Sequence, residues 1–334
     1  MGRGERTRAR DGFRRAESEL IDEGAKILRE GGLVAFPTET VYGLGADAFN
    51  AEAVKDIFIA KGRPQDNPLI VHFACVEDVK RAVKEIPEVA YKLWERFSPG
   101  PLTLVLPKSD ELPLVTTAGI QTVGIRIPNH PIALELIKKS GTGIAAPSAN
   151  TSGRVSPTLA EHVYEDMVGK IPLILDGGQT DVGIESTVLD LTKDVPIVLR
   201  PGAVTVEMLI EVLGKVINHK GEVIIAESPG MKYKHYAPIV PCVGARTPAT
   251  AIGEYVKHDN AIIVARDSFL KDIPNGYNVA SLGESPTDCM RSVFSLLRVL
   301  EKQYGYIIIE DFSNKPEYFA LNNRLRKTTG GVIV

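Results

Sequence analysis

Lys61 and Arg63 flank a single glycine in KGRPQDNP (61–68), directly after a predicted helix and on a loop bounded by prolines. Two cations at this spacing can clamp a phosphate or a carboxylate, arginine through two parallel contacts and lysine as a point charge. Solvated charges complementing the C-terminal end of the helix would read the same way. A second run, APSANTSGRVS (146–156), offers Ser148, Asn150, Thr151, Ser152 and Ser156 around Gly153. Short polar side chains and exposed backbone N–H groups form anion-binding concavities. A hydrophilic turn before a helix, with Ser156 or Thr158 near the cap and Pro157 in the first turn, has the same composition. Single polar groups at strand ends make a third set: His72 in LIVHFA, Arg126 in VGIRIP, Arg200 in PIVLRPG, and Glu185 and Ser186 opening ESTVLDL. A charge buried in a strand needs a partner, internal or a ligand. For His72 alone internal pairing is the stronger reading. Two arginines and a Lys-x-Arg loop in one domain point to an anionic substrate.

The run PTETVYGLGADA (37–48) is read as a loop rich in hydroxyls and glycines. Its GLGADA fits the loose G-x-G-x-x-A dinucleotide pattern, but six residues separate it from the preceding strand, where the pattern needs glycine at the strand end. GTGIAA (141–146) runs into a proline instead of opening a helix. Neither supports a nicotinamide or flavin site. No Walker loop, H-E-x-x-H or G-x-S-x-G occurs, so any ATP chemistry lies outside the P-loop scheme. The six histidines show no metal-ligand clustering.

The elements that must hold these residues alternate along the chain. Helical spacing of Leu20, Ile21, Ile27 and Leu28 predicts a helix over 15–30, stopped by Gly31 and Gly32. Strands are predicted at 33–36, 69–74, 102–106, 122–127, 143–146, 172–175, 187–191 and 197–199, and helices at 51–60, 77–84, 87–97, 130–139, 158–168 and 205–213. Several strands follow one another directly, which predicts a mixed sheet. Residues 215–238, polar and rich in Gly, Pro, Lys and Tyr, read as a linker between a larger domain (15–214) and a smaller one (239–334). In the latter, strands at 239–243, 261–265, 278–281 and 306–310 alternate with helices near 249–257, 287–303 and 315–325, a βαβ pattern that predicts a small parallel sheet.

With 334 residues, 44% hydrophobic and 24% charged, the chain has the composition of a soluble globular protein of about two domains. Its 39 basic and 42 acidic residues leave a net charge of −3, so no global field draws it to nucleic acid or an anionic membrane. No apolar run approaches the roughly 20 residues of a membrane helix. Cys75, Cys242 and Cys289 lie far apart with no C-x-x-C pair, which fits a reducing cytoplasm. The N-terminal 1–14, rich in arginine and lacking an apolar stretch behind it, reads as a solvated basic tail, not a signal peptide.

Taken in order, PTETVYGLGADA, KGRPQDNPL, SPGPLTLVL, VGIRIPNH, APSANTSGRVSPT, ESTVLDL and LRPGAV resemble the motif series of the YrdC/Sua5 family of threonylcarbamoyl-AMP synthases. The resemblance covers about 20–205, and the linker with KHYAP followed by an α/β tail resembles the longer, two-domain Sua5 form. It implies a YrdC-like twisted mixed sheet with a concave positive face, a linker, and a Rossmann-like parallel α/β domain. The implied reaction joins L-threonine, bicarbonate and ATP, with Mg²⁺ on the nucleotide, into threonylcarbamoyl-AMP and pyrophosphate. A partner transferase then moves the threonylcarbamoyl group to N6 of adenosine 37 in tRNAs reading ANN codons; stable nucleic-acid binding by this chain is not required. By resemblance, Thr40, His72, Arg126 and Ser186 hold L-threonine, with Arg126 suited to its carboxylate. Lys61, Arg63, Asn67, Ser148 and Asn150 face the phosphates and carbamate. Thr122, Ala146, Ser156, Arg200 and Tyr236 complete the nucleotide pocket.

Positioning and charge neutralisation dominate such a reaction, and no protein general base is expected, because the carbamate is already anionic. Tyr233, His235 and Tyr236, between Gly230 and Pro238, are expected to act as a lid over labile intermediates. The rival from another class is a non-catalytic RNA-binding protein acting on tRNA or rRNA through the basic face; the aromatic content of 6% speaks against it. A carbamoyl-phosphate-dependent maturation enzyme is a weaker rival, because the zinc-finger and acylphosphatase-like segments expected there are missing.

Overall fold

A computed structural model describes residues 13–15, 17–218 and 236–334. The chain folds as two units.

The first unit, Met1–Ser152, Pro157–Asp181 and Glu185–Lys232, is built on an eleven-stranded sheet. Its strands are β1 (Phe13–Arg15), β2 (Val34–Phe36), β3 (Gly43–Asp47), β4 (Ile70–His72), β5 (Leu102–Pro107), β6 (Thr122–Arg126), β7 (Ile144–Ala145), β8 (Leu173–Asp176), β9 (Thr187–Asp190), β10 (Ile197–Arg200) and β11 (Ile217–Asn218). Their order is β1-β8-β2-β3-β7-β4-β6-β5-β9-β10-β11, and parallel and antiparallel pairs are interspersed. This is the twisted mixed α/β sheet that the sequence implies.

Side chains alternate across a pleated sheet. Val71, Leu104, Leu106, Ile125, Leu189 and Val198 enter the main core, packed with Ile57, Phe58, Leu93 and Trp94 of neighbouring helices. The opposite face carries the apolar cluster Ile70, Val105, Val188 and Leu199, and on it sit His72, Thr103 and Arg126 by register: His72 lies opposite Arg126, and Arg126 opposite Thr103. That face therefore gathers polar residues that lie apart in the sequence.

Four expectations are corrected. PTETVYGLGADA is not a loop throughout, since Gly43–Asp47 pairs with β2 and β7. Phe13–Arg15, read as the end of the basic tail and the start of a helix, is a strand parallel to β8, and the helix begins at Ser18. The helix expected at 77–84 is a short 3₁₀ turn, Glu77–Arg81. Ile217–Asn218, inside the expected linker, pairs with β10. Of that linker, 219–235 lie outside the described residues, as do 1–12 of the basic tail.

The second unit comprises Gly153–Ser156, Val182–Ile184 and Tyr233–Val334. Its strands β12 (Cys242–Ala245), β13 (Ala261–Ala265), β14 (Val279–Ser281) and β15 (Tyr306–Glu310) are all parallel, in the order β12-β15-β13-β14. Near-continuous apolar strands such as AIIVA and YIIIE suit a sheet covered on both faces. The helix Pro286–Leu300 starts at Ser285, whose side chain accepts from the Asp288 N–H, with proline in the first turn. Arg298 of that helix is fully buried and donates from Nε to the Val155 carbonyl at 3.1 Å.

Candidate active site

Asn50 caps the helix Ala51–Lys61, accepting from the Glu52 and Ala53 N–H groups, and Gly62 ends it at φ 60°. The left-handed conformation there favours glycine and leaves Lys61 on the last turn, buried. Lys61 Nζ donates to the Asn150 carbonyl at 2.6 Å and to the Ser148 carbonyl. The Ser152 N–H returns to the Lys61 carbonyl at 2.9 Å. Lys61 therefore grips the main chain of the 148–152 loop. Inside that loop Ser148 Oγ donates to Asn150 Oδ1 at 2.5 Å, and Asn150 Nδ2 to the Thr151 carbonyl at 2.9 Å. On its other side the loop is zipped to the start of β3, with Leu44 N–H donating to Pro147 O and Ala149 N–H to Tyr42 O, both at 2.8 Å.

Arg63 reaches back to the carbonyls of Asn67 and Pro68 at 3.3 and 3.4 Å. Asn67 is buried, and its Oδ1 has no hydrogen-bond partner among the described residues. Ala146 is held by its N–H on Ile70 O at 2.9 Å.

Across the sheet face runs a polar row. His72 Nδ1 lies 3.3 Å from the Ile144 carbonyl, and the ring meets Phe36 edge-on at 6.2 Å. A carbonyl only accepts, so the proton resides on Nδ1 and Nε2 presents a lone pair. Burial, reinforced by the nearby Arg126 charge, pushes the imidazole pKa down to about 3, so the ring is neutral at physiological pH. Arg126, 4% exposed, donates from Nε to the Gly100 carbonyl at 3.4 Å. Its Nη2 lies 2.8 Å from Glu39 Oε2. The groups are out of line for a hydrogen bond: Arg126 Nη2 and both Glu39 oxygens have no hydrogen-bond partner among the described residues. The pair is a charge contact with unspent hydrogen-bonding capacity on both sides.

Thr103 Oγ1 lies 2.8 Å from Ser186 Oγ. Arg200 fixes Ser186 twice, from Nη2 to Oγ at 3.1 Å and from Nε to the carbonyl at 3.0 Å. Thr40 is buried, its hydroxyl 2.9 Å from that of Thr38, which folds the PTET turn by accepting from the Thr40 and Val41 N–H groups at 3.2 Å.

Register thus draws His72, Arg126 and, through Thr103, Ser186 and Arg200 into one row, while Lys61 gathers Ser148 and Asn150. Thr122 shares the face but starts the strand that Arg126 ends, four residues or about 13 Å away. Ser156 and Tyr236 belong to the second unit. There Tyr236 is buried and stacked on Phe294 at 5.3 Å. Gly230, Tyr233 and His235 of the expected lid lie outside the described residues. Sequence reasoning passed over Glu39, Thr103 and His130. Glu39 sat inside a run singled out for its hydroxyls and glycines, and Thr103 is one step of the alternation in LTLVL. His130 is lowered by burial, offset by the carboxylates of Glu39 and Asp181, and its Nδ1 is buried with no partner among the described residues.

Comparison with known proteins adds to this geometry. The profile of the Sua5/YciO/YrdC family, described as "Telomere recombination", matches residues 26–202, and that of the Sua5 C-terminal domain, described as "Threonylcarbamoyl-AMP synthase, C-terminal domain", matches 204–330. The chain is 46% identical over 329 residues to a threonylcarbamoyl-AMP synthase of Pyrococcus abyssi, covering 96% of this chain and 97% of the relative. A Bacillus subtilis protein of the same name is 43% identical over 332 residues, covering 94% of each. The crystal structure of P. abyssi Sua5 complexed with L-threonine superposes with a TM-score of 0.88 at 44% identity, covering 96% of this chain and 97% of that one.

Proposed function

The chain belongs to the Sua5/YciO/YrdC family, and from that premise we propose how its residues make threonylcarbamoyl-AMP. It is a nucleotidyltransferase, a threonylcarbamoyl-AMP synthase that uses ATP and L-threonine in the first step of threonylcarbamoyladenosine formation on tRNA. The finer reading is that bicarbonate supplies the carbamoyl carbon, and that the product passes to a transferase acting at adenosine 37 of tRNAs reading ANN codons. Catalysis is assigned to 15–214, joined by 215–238 to the α/β domain 239–334. The cytoplasm is the proposed compartment. The non-catalytic RNA-binding reading is not favoured.

The observation that carries this reading is the buried Arg126 guanidinium beside a neutral His72 and the Arg200-held Ser186, a cation and two hydroxyl-competent groups on one sheet face. Arg126 takes the threonine carboxylate. His72 Nε2, a pure acceptor, takes a donor such as the threonine hydroxyl, and Ser186 and Thr40 complete that subsite. Lys61, Arg63, Asn67, Ser148 and Asn150 face the phosphates and the carbamate, and Thr122, Ala146, Ser156, Arg200 and Tyr236 the rest of the nucleotide. A carbamate oxygen attacks the α-phosphorus of ATP, the bond to the β-phosphate oxygen breaks, and pyrophosphate leaves with its charge met by Lys61 and Arg63. Among the described residues no group of three or more His, Cys, Asp or Glu side chains could hold a metal. Mg²⁺, which keeps waters and is held largely through phosphates, enters with ATP.

Pyrophosphate release from ATP and Mg²⁺, measured with and without L-threonine and bicarbonate, tests this. Release that needs both and prefers threonine to serine supports the reading. No release from folded protein in any combination overturns it.

A further inference from the structure

Glu39 is 5% exposed, it lies 2.8 Å from the Arg126 guanidinium, and neither of its oxygens has a hydrogen-bond partner among the described residues. A buried carboxylate ordinarily has its oxygens satisfied, because leaving them otherwise is costly. Here an anion and a cation stand side by side on one face, each with an unused hydrogen-bonding atom. The complement of such a pair is a zwitterion, with its carboxylate on Arg126 and its ammonium on Glu39. Resting on the reading above, we infer that Glu39 holds the α-ammonium of the substrate amino acid and accepts a proton from it as the carbamate forms.

The chemistry requires such an acceptor. An ammonium carries three N–H bonds and has no lone pair; the carbamate nitrogen keeps one N–H. As the N–C bond to the bicarbonate carbon forms and a C–O bond of bicarbonate breaks, one N–H proton leaves with the departing hydroxyl as water. The second goes to a Glu39 oxygen and from there to solvent. The balance is R–NH₃⁺ plus HCO₃⁻ giving R–NH–COO⁻, H₂O and one proton. This precedes the attack on ATP, which needs no base. Arg126 stands beside Glu39, the charges of Glu39 and Asp181 both act on His130, and that of Arg126 acts on His72.

The test is Glu39→Gln, which keeps shape and can still face Arg126. Forward pyrophosphate release is followed as pH rises through the α-amino range, beside the reverse reaction in which threonylcarbamoyl-AMP and pyrophosphate give ATP. At neutral pH the forward kcat/KM for threonine should fall on the order of a hundredfold, and the loss should shrink as the free amine becomes abundant. The reverse rate, which breaks no N–H bond before ATP appears, should fall far less, and its survival shows a folded site. Forward and reverse rates falling together at every pH, or unchanged forward activity at neutral pH, overturns the inference. Glu39→Asp keeps a carboxylate and should keep the wild-type pH profile at reduced rate; a glutamine-like profile would count against a proton acceptor. Absence of release from the wild type in the presence of both co-substrates would instead strike the synthase reading.

Discussion

Lys61 Nζ and the Asn150 carbonyl oxygen stand 2.6 Å apart, joining the end of one helix to a loop far along the chain. A lysine expected to meet phosphate therefore also shapes the loop that carries Ser148 and Asn150. Lys61→Met should lower stability by roughly 2–3 kcal/mol, since buried carbonyls lose a charged donor. It should also cost more turnover than the charge alone explains, because the loop relaxes. Urea unfolding and ATP-dependent pyrophosphate release read the two effects; loss of turnover at unchanged stability would show that only the charge matters.

Arg200 holds Ser186 by two hydrogen bonds. Arg200→Lys keeps the charge and loses the fork. About 1.5 kcal/mol of positioning is removed, and the KM for threonine should rise roughly tenfold. Isothermal titration with L-threonine checks it.

Gly202 allows a close approach. A Cβ there would stand 2.5 Å from the Thr187 main-chain nitrogen, which cannot yield as a side chain can. Gly202→Ala should destabilise the protein by about 1–3 kcal/mol and, by displacing Ser186 and Thr187, weaken threonine binding. A melting curve and a threonine titration on the same sample decide it.

His72 is held neutral, its pKa pushed to about 3 by burial and Arg126. The folded value lies below the unfolded value of about 6.5. Its contribution to stability is therefore complete above that unfolded value and lost as pH falls towards 3. The slope it adds in that window is about 1.4 kcal/mol per pH unit. Denaturation from pH 7 downward should show a shallower decline in His72→Gln than in the wild type; parallel curves would count against a buried neutral imidazole.

What could be read from sequence follows from where the determining contacts lie. The strands at 70–72, 122–126 and 197–200 announce themselves as apolar runs interrupted or ended by a single charged or polar residue, and those residues are His72, Arg126 and Arg200. β3 stays hidden because GLGAD has a glycine at its first and third positions, which weakens the local strand signal. The glycine is demanded from elsewhere: a Cβ on Gly45 would meet Ile144 Cγ2 at 2.7 Å and Phe36 Cε1 at 2.8 Å. Glu39 is hidden for a related reason, since its charge has meaning only beside Arg126, which the fold and not the spacing brings to it.

The two-residue pleat that sends Val71, Leu104, Ile125 and Leu189 into the core sends Ile70, His72, Thr103 and Arg126 to the opposite face. Along these strands the residues proposed to set turnover fall on alternate codons, out of step with those of the main core. A saturation library over 70–72, 102–106, 122–126 and 187–190, scored once for cellular protein level and once for product, should split into two interleaved combs, one tooth out of phase. A drifting lineage could then repack the main core without retuning the chemistry, whereas retuning the chemistry would work beside the buried Ile70, Val105 and Val188 that the same face carries.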